Sequence, residues 1–67
     1  MSDTRYPEIT VQLTGQDGNA FLIIGRVQKA LRRGGVPAEQ VSEFVAEATS
    51  GDYDNVLRTA MAWVTVD

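Results

Sequence analysis

The sequence predicts a small α+β domain with the element order β-α-α-α-β. Two segments in which apolar and polar residues alternate stand near the ends of the chain, and three segments with helical periodicity lie between them. With 67 residues the chain makes one small domain at most, so we expect residues 1–67 to be a single domain. If the elements alternate in direction, the two terminal strands pair in parallel against the three helices. Residues 1–7 are expected to be a loosely ordered N-terminal arm.

The first strand is predicted over residues 8–14, "EITVQLT". Ile9, Val11 and Leu13 point to one face, and polar residues point to the other, which is typical of a half-buried strand. Gly15 ends the strand, and "GQDGN" after it has the composition of a turn.

The first helix is predicted over "AFLIIGRVQKALRR", with Asn19 or Asp17 as its N-cap. Gly34 and Gly35 end it. Its apolar residues recur at the spacing of a stripe that faces a core: Ala20, Ile23, Ile24, Val27 and Leu31.

Three residues of this helix do not belong to that stripe. Phe21 and Leu22 lie beside it, and Gly25 follows Phe21 by one turn on the same side. Glycine inside a helix costs about 1 kcal/mol relative to alanine, unless something packs closely against it. We therefore expect another element, or another chain, to cover this side of the helix.

Two more helices and a closing strand follow. The second helix begins near Pro37 and carries the apolar residues Val41, Phe44, Val45 and Ala48. The third is capped by Asp52 and runs to about Ala62, with the apolar side Val56, Leu57, Ala60 and Met61.

The alternation from Trp63 to Val66 predicts a short strand. Trp63, the only tryptophan, is expected in the core or at a dimer seam rather than in a ligand-stacking platform.

Composition excludes several kinds of chemistry. The chain contains no cysteine and no histidine, which removes disulfides, thiolate metal sites, ordinary zinc sites and histidine-based catalysis. No nucleophile stands beside a base in an identifiable motif. We expect a protein that is not an enzyme and that needs no cofactor and no metal.

The location predicted from the sequence is cytoplasmic. The N-terminal segment "MSDTRYPE" is polar, and a signal peptide would have an apolar region there. The longest apolar run, "AFLII", is far too short for a membrane span, so we expect no membrane association.

Two loops are predicted to lie at the same end of the domain, at residues 14–19 and 49–55. Both precede a helix N-terminus, where backbone N–H groups attract anions, while their aspartates would suit a hard cation. They either cap the helices only or form a site for a nucleotide or another small ligand. Neither loop matches a phosphate-binding P-loop or an EF-hand. The candidate residues are Thr14, Asp17, Asn19, Ser50, Asp52, Tyr53 and Asp54.

Charge is distributed unevenly along a chain whose formal net charge is −3. The basic row comprises Arg26, Lys29, Arg32 and Arg33, and the acidic row comprises Glu39, Glu43 and Glu47. The basic row either complements the helix dipole, contacts a nucleic acid, or meets the acidic row within or between chains. The net negative charge argues against nucleic acid. The acidic row is the predicted partner surface.

Three segments, "LTGQDGNAF", "GRVQKALRRGGV" and "AEATSGDYDNVLRT", give the chain a resemblance to a group of short bacterial and phage proteins of mobile elements. That group has no established activity, so the resemblance implies a small accessory protein and assigns no site residue.

Three functions follow as hypotheses. The first is a non-enzymatic protein that self-associates, as a dimer, and binds a protein partner, because so small a core often needs oligomerisation. The second is a small-ligand binder that uses the two loops. The third is a nucleic-acid accessory protein that uses the basic row.

Overall fold

The computed structural model describes residues 4–13 and 19–67. In chain order these residues form strand β1 (Tyr6–Val11), helix α1 (Ala20–Arg33), helix α2 (Ala38–Ala48), helix α3 (Tyr53–Trp63) and strand β2 (Val64–Val66). The two strands pair in parallel, and each helix packs against the other two. The predicted α+β fold with its β-α-α-α-β order and parallel terminal strands is confirmed.

β1 begins and ends earlier than the predicted range 8–14. Its register places Tyr6 opposite Val64 and Val11 opposite Val66, with an irregularity after Tyr6. Pairing nevertheless continues past the end of β1, since the backbone N–H of Leu13 donates to the carbonyl of Asp67 at 3.2 Å. The alternation holds, because Ile9 and Val11 are buried and Leu13 is half-buried, while Thr10 and Gln12 are exposed.

Residues 4–7 are hydrogen-bonded to the end of α3 and to β2. The hydroxyl of Thr4 donates to the carbonyl of Met61 at 3.2 Å, and the backbone N–H of Arg5 donates to the carbonyl of Ala62 at 2.9 Å. The hydroxyl of Thr65 donates to the carbonyl of Pro7 at 2.7 Å. These bonds start β1 two residues before the predicted position.

A Schellman motif ends α1. The backbone N–H of Val36 donates to the carbonyl of Leu31 at 3.0 Å, and that of Gly35 donates to the carbonyl of Arg32 at 3.1 Å. Gly35 has a φ of 84°, a left-handed conformation that favours glycine. A Cβ on Gly34 would lie 2.6 Å from Cδ1 of Ile9, so the end of α1 packs directly on β1.

The core centres on Trp63, which is 1% exposed and is the last residue of α3. The ring of Phe44 meets its ring edge-on at a centroid distance of 5.7 Å. The ring of Tyr6 stacks on it at 6.1 Å. Trp63 therefore joins α3, α2 and β1, and the predicted core position is confirmed.

The buried side of α3 differs from the predicted one at two residues. Met61 was expected on the apolar side and is 52% exposed, whereas Thr59 is buried. The inward face follows Val56, Thr59, Ala60 and Trp63, a helical stripe that ends on the largest side chain of the helix. The burial of Trp63 turns Met61 outward.

In the two described ranges, no helix combines the length and apolar character needed to cross a membrane.

Candidate functional site

The N-terminal ends of α1 and α3 share an apolar pocket, which we call the helix-end pocket. Its volume is about 340 Å³, and its walls are Ala20, Phe21, Ile24, Ala48, Thr49, Gly51, Asp52, Tyr53 and Val56. The C-terminal end of α2 forms the third side. Of the predicted loop residues, Thr14 and Asp17 lie outside the described residues, and Asn19 immediately precedes the pocket.

Most polar groups around this pocket serve as helix caps. Asn19 Oδ1 accepts a hydrogen bond from the backbone N–H of Phe21 at 2.9 Å, and Asp52 Oδ1 accepts one from that of Asn55 at 3.0 Å. Ser50 Oγ donates to the carbonyl of Glu47 at 2.7 Å. Three of the seven candidate ligand residues thus have a structural partner.

Asn55 ties the end of α2 to the start of α3. Its side-chain Nδ2 donates to the carbonyl of Glu47 at 2.9 Å and to that of Ala48 at 3.3 Å. These are carbonyls of the last turn of α2, which have no partner within the helix. The sequence interpretation placed Asn55 among the polar groups of the 49–55 loop that a ligand could contact, and it did not foresee this bond to the end of α2.

The lining of the helix-end pocket suits an apolar group better than an anion. Five of its walls are Ala20, Phe21, Ile24, Ala48 and Val56, and the charged group among its lining residues is the carboxylate of Asp52. Tyr53 is 40% exposed beside it, and Asp54 is exposed in the first turn of α3. Within the described ranges, no three acidic side chains converge as a metal site would require.

The open face of α1 comprises Phe21, Leu22 and Gly25. Phe21 is 82% exposed and Leu22 is 48% exposed. A Cβ built on Gly25 would meet nothing within 4 Å. In the part of the chain that the structure describes, no element covers this face.

A separate groove runs between β1 and α1, and we call it the basic groove. It has a volume of about 690 Å³, and its walls are Glu8, Ile9, Thr10, Val11, Gln12, Arg26, Lys29, Ala30, Arg33 and Gly34. Arg26, Lys29 and Arg33 share one face of α1, and Arg32 is not among the groove walls. Three members of the predicted basic row therefore face β1.

The acidic row is partly engaged within the chain. Glu39 is exposed in the first turn of α2. Glu43 Oε1 lies 3.8 Å from Arg5 Nη1, and Glu47 Oε2 accepts a hydrogen bond from Trp63 Nε1 at 3.3 Å. Among the described residues, the ion pair of this row is made with Arg5 and not with the basic row of α1.

Arg5 is a central residue that the sequence interpretation missed. Its guanidinium lies 4.0 Å from the centroid of the Trp63 ring, and its Nη1 donates to Gln40 Oε1 at 3.2 Å. The pairing of the chain ends brings Arg5 to these partners, and no local pattern signals them.

No protein-family model, curated protein or solved structure matches this chain.

Proposed function

We propose that this chain is a small non-enzymatic protein that self-associates as a homodimer and acts by binding a protein partner. The observation that carries the self-association is the side chain of Phe21, which is 82% exposed at the rim of an apolar pocket. Burying a phenylalanine side chain contributes about 1.5–3 kcal/mol. An 82% exposed phenylalanine forgoes most of that stabilisation unless another chain covers it.

The proposed dimer is isologous and has a two-fold axis beside α1. Phe21 and the helix-end pocket lie on the same face of the molecule, so one surface carries both a projecting ring and an apolar recess. In a two-fold dimer each surface meets its own copy. Phe21 of one protomer would pack into the recess walled by Ile24, Ala48 and Val56 of its partner, and the reverse contact would form at the same time.

Gly25 supports this geometry. It follows Phe21 by one helical turn, and the space in front of it is open to a distance of 4 Å. Without a side chain at this position, the backbones of two α1 helices approach closely, as small residues allow at helix crossings. The crossing would account for a glycine in the interior of a helix, where it costs about 1 kcal/mol relative to alanine.

The polar side chains around the helix-end pocket support the non-enzymatic part of the proposal, because they are engaged in hydrogen bonds with the backbone. Asn19, Ser50 and Asp52 bond to backbone groups at helix ends, and the chain has no histidine or cysteine. A chain without cysteine also fits the proposed cytoplasmic location. A role as an accessory protein of a mobile element stays a prediction from the sequence.

Sedimentation velocity over a concentration series tests the dimer. We expect wild-type protein to shift from monomer to dimer as its concentration rises toward about 1 mM, a range that covers weak homodimers. Phe21→Glu places a charge in the seam and should remain monomeric with an unchanged circular dichroism spectrum.

Met61→Glu is the matched control. Met61 is also an exposed apolar residue, at 52%, and it does not line the helix-end pocket. We expect this variant to dimerise like the wild type. A wild type that stays monomeric up to about 1 mM, or a Phe21→Glu variant that dimerises equally well, contradicts the proposal.

A further inference from the structure

Among the residues that the structure describes, no strand pairs with one edge of β1. In the described residues the sheet has two strands, so β2 occupies one edge of β1. On that side the carbonyl of Val11 accepts from the N–H of Asp67, and the N–H of Leu13 donates to the carbonyl of Asp67. Backbone groups alternate in direction along a strand, so those of Thr10 and Gln12 point to the other edge. That edge offers hydrogen bonds to an incoming strand.

The basic groove lies along this unpaired edge. Both Thr10 and Gln12 line it, and α1 contributes Arg26, Lys29 and Arg33. These three cations face a single carboxylate of the groove, that of Glu8. Within the described ranges, the ion pair that the structure records is Arg5–Glu43, so the three groove cations are available to an outside acid.

We propose that the basic groove binds an extended acidic segment of a partner protein, which adds a strand to the free edge of β1. Backbone hydrogen bonds to Thr10 and Gln12 would supply affinity, and the α1 cations would select acidic side chains. This inference rests on the protein-binding part of the proposed function. It does not require the Phe21 dimer, because that seam lies at other residues.

The spacing of the groove cations defines the ligand further. Alternate residues of a strand share one face and are about 6.8 Å apart, so three of them span about 14 Å. Arg26 and Arg33 are separated by seven residues, about 10.5 Å along a helix. Acidic residues at every second position of the added strand would therefore lie along the basic face of α1, whereas consecutive acids would point half of their charge away.

Nucleic acid and a second copy of this chain fit the basic groove less well. Among the described residues, no aromatic side chain lines it for base stacking, and the whole chain has a net charge of −3. A second copy would bring the β1 segment "YPEITV", whose single acid is Glu8. The acidic residues Glu39, Glu43 and Glu47 lie in α2 and are not in an extended segment.

Fluorescence anisotropy with a labelled synthetic peptide tests the inference. The probe carries glutamate at three alternate positions separated by valine and threonine, and the control probe carries glutamine instead. We expect saturable binding of the glutamate probe only. Lys29→Glu should weaken it about tenfold, as loss of a specific charge contact does.

Arg32→Glu is the matched control, because it makes the same change in net charge on the same helix outside the groove walls. It should change the affinity less than twofold, in the range of a screened distant charge. Thr10→Pro removes an edge N–H that the added strand needs, at an exposed position of an edge strand. Thr10→Pro should abolish probe binding. If this variant does not fold, the comparison of Lys29→Glu with Arg32→Glu tests the inference.

Several outcomes would overturn the inference. One is the absence of binding of the glutamate probe, and another is an equal loss of affinity for this probe in Lys29→Glu and Arg32→Glu. A third is a single-stranded oligonucleotide that displaces the peptide and still binds the Thr10→Pro variant. A dimer that Thr10→Pro abolishes and Phe21→Glu leaves intact would assign the edge to a second copy. Peptide binding by a monomeric Phe21→Glu variant would support the edge site whatever the fate of the dimer.

Discussion

The indole nitrogen of Trp63, the last residue of α3, donates a hydrogen bond to Glu47 Oε2, near the end of α2, at 3.3 Å. The ring of the same tryptophan is covered by the guanidinium of Arg5 at 4.0 Å. A buried indole N–H needs an acceptor, and Glu47 supplies it from the surface. One side chain thereby joins the N-terminal segment, α2 and the end of α3.

Glu47→Ala should destabilise the fold by about 1 kcal/mol, because the buried indole N–H loses its acceptor. Glu47→Gln keeps an acceptor oxygen and should cost less than half as much. Urea unfolding followed by the emission of Trp63, the only tryptophan, measures both. Equal stability of the alanine variant and the wild type would show that water replaces the carboxylate.

Arg5→Ala should cost about 1 kcal/mol, in the range of a cation–π contact over tryptophan. Its ion pair with Glu43 is half-exposed on both sides, and such pairs are worth about 0–1 kcal/mol. We therefore expect Glu43→Gln to have a smaller effect than Arg5→Ala. Unfolding in low and high salt separates the two contacts, and a larger loss in Glu43→Gln would contradict this order.

Asp52→Ala should destabilise the protein by about 1 kcal/mol through loss of the α3 N-cap. Asn55→Ala should cost at least as much, because two carbonyls at the end of α2 lose a donor. Asp54→Asn is the control and should cost a few tenths of a kcal/mol from the helix dipole alone. Thermal unfolding ranks the three, and an inert Asp52→Ala would leave that residue free for a ligand.

Gly25, inside α1, and Gly34, the C-cap residue that follows α1, should respond in opposite directions to alanine. Gly25→Ala should stabilise the monomer by about 0.5–1 kcal/mol, because the space is open and alanine favours the helix. Gly34→Ala should destabilise it by about 1–3 kcal/mol, since the new methyl would lie 2.6 Å from Ile9 Cδ1. Denaturation midpoints at micromolar protein measure both, and a neutral Gly34→Ala would mean that Ile9 moves aside.

Much of the fold was predictable because the spacing of apolar residues in the sequence indicates which side of a helix or strand is buried. The stripe of α1 and the alternation of Ile9 and Val11 are local patterns, and both face the core as expected. The inward face of α3 was less predictable. Thr59 and Met61 are two positions apart in the sequence, and the packing of Trp63 against Phe44 decides which of them is buried.

The surfaces were predictable in part. The sequence singled out Phe21, Leu22 and Gly25 because they lie outside the apolar stripe of the helix. These residues form the open face of α1. The basic groove was not foreseen, since the cations of α1 acquire their neighbours from a strand that precedes them in sequence. Arg5 escaped notice for the same reason: its partner Gln40 is 35 residues away.

The parallel pairing of β1 with β2 also constrains the order of events during synthesis. β1 is translated first, but its partner leaves the ribosome only after all three helices have been made, and contacts such as Thr65–Pro7 join residues 58 positions apart. In the nascent chain β1 therefore stays without its partner strand until β2 has left the ribosome. The three helices can associate earlier, so the pairing of the two chain ends is the late step of folding during synthesis.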